Sequence, residues 1–170
     1  MLEIPRWGPS YMVSFSIVIK EIPRPWPQNK FASVLHFTTG ENVQHYGNRI
    51  PMVWVENFHN QAYIRVNADC IYGEINFVRR FKVELGKRYD ITIKQWKKND
   101  KYWNQIIAPG VPTEKFPVYR EWLWPFHNVK LFTSDEWYDA FTSDLGELSN
   151  LKIENNDGDL VSLDKTAPLQ

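Results

Sequence analysis

Alternation of apolar and polar residues with a period of two runs along most of the chain. From Tyr11 to Ile19, the residues Val13, Phe15, Ile17 and Ile19 share one side, with Ser14, Ser16 and Val18 on the other. That spacing belongs to a strand, because successive side chains leave opposite faces of the pleat. Further strands are predicted over Ala32 to Thr38, Met52 to Glu56 and Gln61 to Asn67, and a strand pair between Ile71 and Leu85 broken near Arg79-Arg80. The clearest hairpin puts Tyr89, Ile91, Ile93 and Gln95 on one face. It turns at Lys97 to Asp100, where Asn99-Asp100 supplies turn chemistry, and returns over Tyr102 to Ile107. Val129, Leu131 and Thr133 resume the alternation, and Leu148 to Glu154 forms the last strand.

Between these runs the chain is punctuated by proline. Pro23, Pro25 and Pro27 read as an extended crossover, since proline donates no ladder hydrogen bond. The segment from Glu41 to Arg49 is polar and turn-like. Pro109 to Pro125 dissolves into a loop rich in proline and aromatics, and Asp135 to Gly146 is again loop. The one serious helix candidate, Glu114 to Leu123, has Pro117 inside it. About ten strands with irregular connections and no convincing helix predict an all-β protein, a two-sheet antiparallel sandwich. A single domain is expected over 1–154, with 155–170 a turn and a loose C-terminal tail.

Composition changes this picture mainly through its aromatics: 8 Trp, 8 Tyr and 10 Phe in 170 residues. Not all eight indoles are expected in the core, and an exposed aromatic patch marks a binding site. Lys+Arg and Asp+Glu both number 20, so no basic excess points to nucleic acid. The Arg79-Arg80 and Lys97-Lys98 pairs read as solvated surface. Cys70 is the one cysteine, so no intramolecular disulfide is expected. No apolar run approaches the ~20 residues of a membrane span, and no secretory signal stands at the start.

Several phrases, taken in order, resemble the concanavalin A-like lectin/glucanase superfamily, and within it the laminin G-like modules of marine-invertebrate extracellular proteins. They are Trp7-Gly8-Pro9-Ser10-Tyr11, Val34-Leu35-His36-Phe37, Gly47-Asn48-Arg49-Ile50-Pro51, Leu85-Gly86-Lys87-Arg88-Tyr89, Phe132-Thr133-Ser134-Asp135-Glu136-Trp137-Tyr138 and Leu145-Gly146-Glu147-Leu148. The resemblance implies a jelly roll whose final strand returns beside the first. It also implies an extracellular, secreted setting and binding of glycans, proteins or lipophilic molecules.

Catalysis is not expected. Glycan hydrolases on this scaffold place two carboxylates at alternate strand positions. Here Glu74-Ile75-Asn76 lacks the second acid, and Glu147 and Glu154 stand too far apart. No cofactor is required, although Asp135, Asp139 and Asp144 can offer carboxylates to Ca²⁺ from one loop. Trp122 and Trp124 share a face if extended and, with Tyr119, form a stacking platform. Trp137, His45, Tyr46, Asn48 and Arg49 complete the expected ligand-binding set, and Trp54, Tyr63 and Trp96 are similar candidates on strands. The leading expectation is a non-enzymatic, lectin-like binding module for a glycan or another small ligand. Two readings stay open beside it: a carrier of a hydrophobic small molecule such as a pigment or lipid, and a protein–protein or self-association module that forms a homo-oligomer.

Overall fold

The computed structural model describes residues 1–22, 31–40, 47–68, 70–71, 74–75, 78–118, 125–133 and 139–155. One sheet has seven strands: β1 (Leu2–Trp7), β3 (Phe31–Thr38), β4 (Met52–Phe58), β5 (Gln61–Asn67), β8 (Val78–Lys82), β12 (Phe126–Phe132) and β13 (Asp139–Ala140). Their spatial order is β1-β12-β3-β4-β5-β8, with β13 beside β3. The other sheet, β11-β10-β9-β2-β14, comprises β2 (Tyr11–Ile19), β9 (Arg88–Lys98), β10 (Lys101–Ile107), β11 (Lys115–Pro117) and β14 (Gly146–Asn155). A small ribbon joins β6 (Cys70–Ile71) to β7 (Glu74–Ile75). Every pairing is antiparallel except β13 with β3.

The apolar sides of the two sheets face each other. Val13, Phe15, Ile17 and Ile19 of β2, with Ile91 and Ile93 of β9, join one core with Val53 and Val55 of β4 and Ile64 and Val66 of β5. None is more than 2% exposed, and burying each such side chain contributes about 1.5–3 kcal/mol. Strand β14 lies beside β2, the first strand that the alternation predicts.

Two bulges adjust the alternation. In β14 the register shifts between Ser149 and Lys152, and Asn150 adopts a φ of 53°. Leu148 and Leu151, three apart, would otherwise leave opposite faces, yet both are buried. A shift between Ser33 and Leu35 likewise puts the consecutive Val34 and Leu35 into the core. The tight hairpins use residues that tolerate left-handed backbone: His59-Asn60 (φ 51° and 58°) and Asn99-Asp100 (φ 52° and 57°).

Three expectations needed correction. Leu2–Trp7 is a strand that the alternation did not predict; it pairs only with β12, and Pro5 fits there because an edge strand can spare a ladder donor. The chain is not broken at Arg79-Arg80: β8 runs through both, Arg80 stacking over Phe58 and Arg79 over Phe116. The helix candidate begins as a strand, because Lys115–Pro117 pairs with Trp103–Gln105 of β10.

Asn155 is the last residue of β14. Its Oδ1 accepts from the Gly8 amide at 2.8 Å and its Nδ2 donates to the Arg6 carbonyl at 2.6 Å, so β14 is tied to the β1–β2 turn. Two buried hydrogen bonds, with their backbone partners stranded, are worth about 2–3 kcal/mol. Asn155→Ala is therefore expected to lower the free energy of unfolding by about that amount in a urea titration. A loss under about 0.5 kcal/mol, the scale of ordinary surface substitutions, would show that the tie carries no strain-free stability.

Candidate binding face

Side chains of the seven-stranded sheet that point away from the core form a grid set by register. One row runs Phe132, His36, Met52, Asn67; the next Ser33, Trp54, Arg65, Arg80; the third Phe31, Glu56, Tyr63, Lys82. An outer face of a sandwich is normally wet. This one is not: Ser33, His36, Met52 and Asn67 have no exposed area, and Trp54 and Glu56 have 3% each.

The middle of the grid is cationic and aromatic. The Arg49 guanidinium lies over the Trp54 indole at 5.3 Å, and Arg65 lies over Phe31 at 5.3 Å and Trp54 at 5.9 Å. Phe31 and Trp54 are themselves in tilted contact at 5.7 Å. Arg80 covers Phe58 at 4.2 Å and Tyr63 at 5.2 Å, and its Nη1 stands 3.7 Å from Oε1 of Glu56. Three guanidiniums thus share a face with one carboxylate, and Glu56 is the one buried acid among the residues whose burial is described.

Several buried polar atoms here have no hydrogen-bond partner: Oε2 of Glu56, Nε of Arg65, and both Oδ1 and Nδ2 of Asn67. Each costs about 1–3 kcal/mol when stranded, against a total stability of about 5–15 kcal/mol for a domain.

Of the residues singled out from the sequence, Asn48 and Arg49 lie beside this face. Asn48 is 3% exposed, its Oδ1 accepting from Thr39 Oγ1 at 3.1 Å and its carbonyl 2.6 Å from Nε2 of His36. It therefore braces the approach to β4. Trp54 is no open stacking platform, since guanidiniums lie over its ring. Tyr63 stands beside Arg80, half-buried, and Trp96 lies on the other sheet. Asp144 is exposed in the turn before β14, and Asp139 opens β13. Among the described residues no three His, Cys, Asp or Glu side chains gather. Tyr119, Trp122, Trp124, His45, Tyr46, Trp137 and Asp135 lie outside the described residues.

Sequence reasoning did not select Glu56, Arg65, Asn67 or Arg80. Their alternation with core residues reads as an ordinary solvated face. The available signal was their concentration on adjoining strands, visible only once register is known.

Among the described residues, a hollow of about 250 Å³, open solvent included, is lined by Trp7, Gly8, Pro9, Tyr11, Ile50, Gln95 and Phe126. Little of that space is enclosed, so a carried pigment or lipid is not favoured there. On the outer face of the five-stranded sheet, hydrogen bonds from the Ser16 hydroxyl (2.6 Å) and from Arg88 hold the Asp90 carboxyl below its ordinary range.

Two antiparallel sheets with this arrangement define a jelly-roll sandwich of the concanavalin A-like kind. The chain superposes on a native heptameric SAP-like pentraxin from Limulus polyphemus with a TM-score of 0.53 and 12% identity, covering 90% of this chain and 66% of the pentraxin. It thus spans just under two thirds of that protein's length. An endo-β-1,4-glucuronan lyase from the fungus Trichoderma reesei aligns at a TM-score of 0.47 and 12% identity, covering 91% of this chain and 72% of the lyase. No family model and no curated protein matches the sequence. At 12% identity the likeness to the pentraxin establishes the fold alone.

Proposed function

We propose that this protein is a non-enzymatic ligand-binding module, lectin-like, that takes a glycan on the outer face of its seven-stranded sheet. The observation that carries this reading is the cluster of guanidiniums and aromatic rings around Glu56, in which Tyr63, Arg65 and Arg80 keep part of their side chains in reach of solvent. A sugar hydroxyl both donates and accepts, so neighbouring hydroxyls on one ring can serve a phenol and two guanidiniums at once. The guanidiniums of Arg49 and Arg65, backed by Trp54 and Phe31, are held in place before the ligand arrives, which lowers the ordering cost of binding. Among the residues whose burial is described Glu56 is the one buried carboxylate, and glycoside hydrolysis calls for a pair.

The laminin G-like branch, a secreted location, a Ca²⁺ at Asp135, Asp139 and Asp144, and assembly into a homo-oligomer belong to the same proposal. A contribution from Tyr119, Trp122, Trp124 and Trp137 belongs to it as well.

A glycan array, run with and without Ca²⁺, tests the reading. At least one sugar class is expected to bind, and Glu56→Gln and Arg65→Met to weaken it by about tenfold or more, one lost charge-assisted hydrogen bond each. Circular dichroism checks that both variants fold. No binding to any sugar, or full binding by both variants, overturns it.

A further inference from the structure

The outer face of the β9–β10 hairpin carries a second feature, on the opposite sheet and independent of the reading above. Trp96 and Trp103 are directly paired across the two strands, and both are half-buried. Lys98 and Lys101 pair one step toward the turn, on the same side of the sheet. On the other side of the indoles, Lys94 is opposite Gln105, which in turn is opposite Lys115 of β11. The ammonium groups of Lys94 and Lys115 stand 5.3 and 5.9 Å from the Trp96 ring centroid. Cations therefore bracket the indole pair at both ends, with about 13 Å of strand between Lys94 and Lys98.

Among the described residues, none of these four lysines is in an ion pair. The neighbouring Lys97 is different, with Asp100 at 3.3 Å. Unneutralised cations this close together repel one another, and such a cluster costs stability unless an anion visits it. Each indole is half-buried and so keeps part of its apolar surface in reach of solvent, and sugar rings pack on such surface.

We propose that this face docks an acidic polysaccharide chain, its sugar rings on Trp96 and Trp103 and its carboxylates or sulfates on Lys94, Lys98, Lys101 and Lys115. Two other polyanions fit less well. Single-stranded nucleic acid is disfavoured by a chain whose charges balance at 20 against 20. A lipid surface calls for apolar side chains standing proud, whereas these indoles are less exposed than Met1 or Leu85.

The test titrates the protein at low salt with polygalacturonate, chondroitin sulfate, neutral dextran, oligothymidylate and vesicles of phosphatidylserine and phosphatidylcholine, following tryptophan fluorescence. One or both acidic polysaccharides are expected to bind and dextran not to. The double variant Lys94→Ala/Lys115→Ala is expected to bind about tenfold more weakly, two exposed ion pairs being worth about 1.4 kcal/mol together. Trp96→Ala is expected to weaken binding without changing the salt dependence, since stacking releases no counterions. Lys82→Ala/Lys130→Ala, on the seven-stranded sheet, should change nothing, and Lys98→Ala/Lys101→Ala serves as the second test of the strip. The proposal fails if neither acidic polymer binds, if the control pair weakens binding as much, or if Trp96→Ala has no effect. It also fails if oligothymidylate or vesicles bind more tightly than the polysaccharides. Lys94→Ala/Lys115→Ala should leave the binding read on the glycan array intact, which separates failure of this proposal from failure of the glycan site on the other sheet.

Discussion

Alanine at position 146 is expected to destabilise the protein by about 3 kcal/mol, at the upper end of the cost of overpacking. Gly146 begins β14 opposite Ile19 of β2. A methyl group there would fall well inside contact distance of the Val18 carbonyl oxygen and of Cζ of Phe141. Neither can step aside. The carbonyl belongs to an interior strand of the sheet, between β9 and β14, and Phe141 is 1% exposed within the core. Relief requires β14 to move off β2, loosening the pairing that also brings Asn155 to the β1–β2 turn. Gly110 provides the contrast. It sits at φ 75° with open space around its Cα, so Gly110→Ala meets only the left-handed backbone penalty of about 1 kcal/mol. Urea denaturation of the two variants separates steric from conformational cost. Equal midpoints would show that β14 yields freely and that the close approach at Gly146 is unimportant.

The same glycine shows where sequence reading reached and where it stopped. Leu145-Gly146-Glu147-Leu148 could be recognised as a phrase, but nothing along the chain says that this glycine lies against a neighbouring carbonyl. Alternation fixed the facial assignment of β2, β5 and β9 because a strand's side chains must leave in opposite directions. It could not foresee the bulges at Ser33–Leu35 and Ser149–Lys152, since a bulge inserts a residue without leaving a hydrophobic signature. It missed β1, where Pro5 reads as a breaker until the strand is known to sit at an edge.

The candidate face was harder still. Glu56, Arg65, Asn67 and Arg80 occupy the positions where alternation expects solvent, and polar residues there raise no question. Their meaning depends on that face being buried as well, a property of the tertiary structure. Trp54 was noticed for its chemistry and Arg49 for its place in a phrase, but their contact joins the approach to β4 with its third residue. The aromatics did divide as their number suggested: Trp7 and Trp54 are buried, while Trp96 and Trp103 stay half-exposed.

Trp7→Ala is expected to have the largest effect, about 4 kcal/mol, the cost of deleting a fully buried indole whose surroundings cannot collapse. Trp7 is 1% exposed and packs against Tyr11 at 5.0 Å and Phe37 at 4.8 Å, so it joins β1, β2 and β3. It also lines the hollow at that end of the sandwich, and truncation would enlarge a void already present. The indole has a cost of its own, because its Nε1 is buried without a hydrogen-bond partner. Trp7→Phe removes that stranded donor while keeping most of the ring, so it should cost about 1–2 kcal/mol, no more than half the alanine value. Asn155 grips the residues on either side of Trp7, through the Arg6 carbonyl and the Gly8 amide. The two sites should therefore couple: Trp7→Ala/Asn155→Ala is expected to lose about 1 kcal/mol less than the sum of the single variants. Strict additivity in urea denaturation would mean that the clip and the indole stabilise separate parts of the fold.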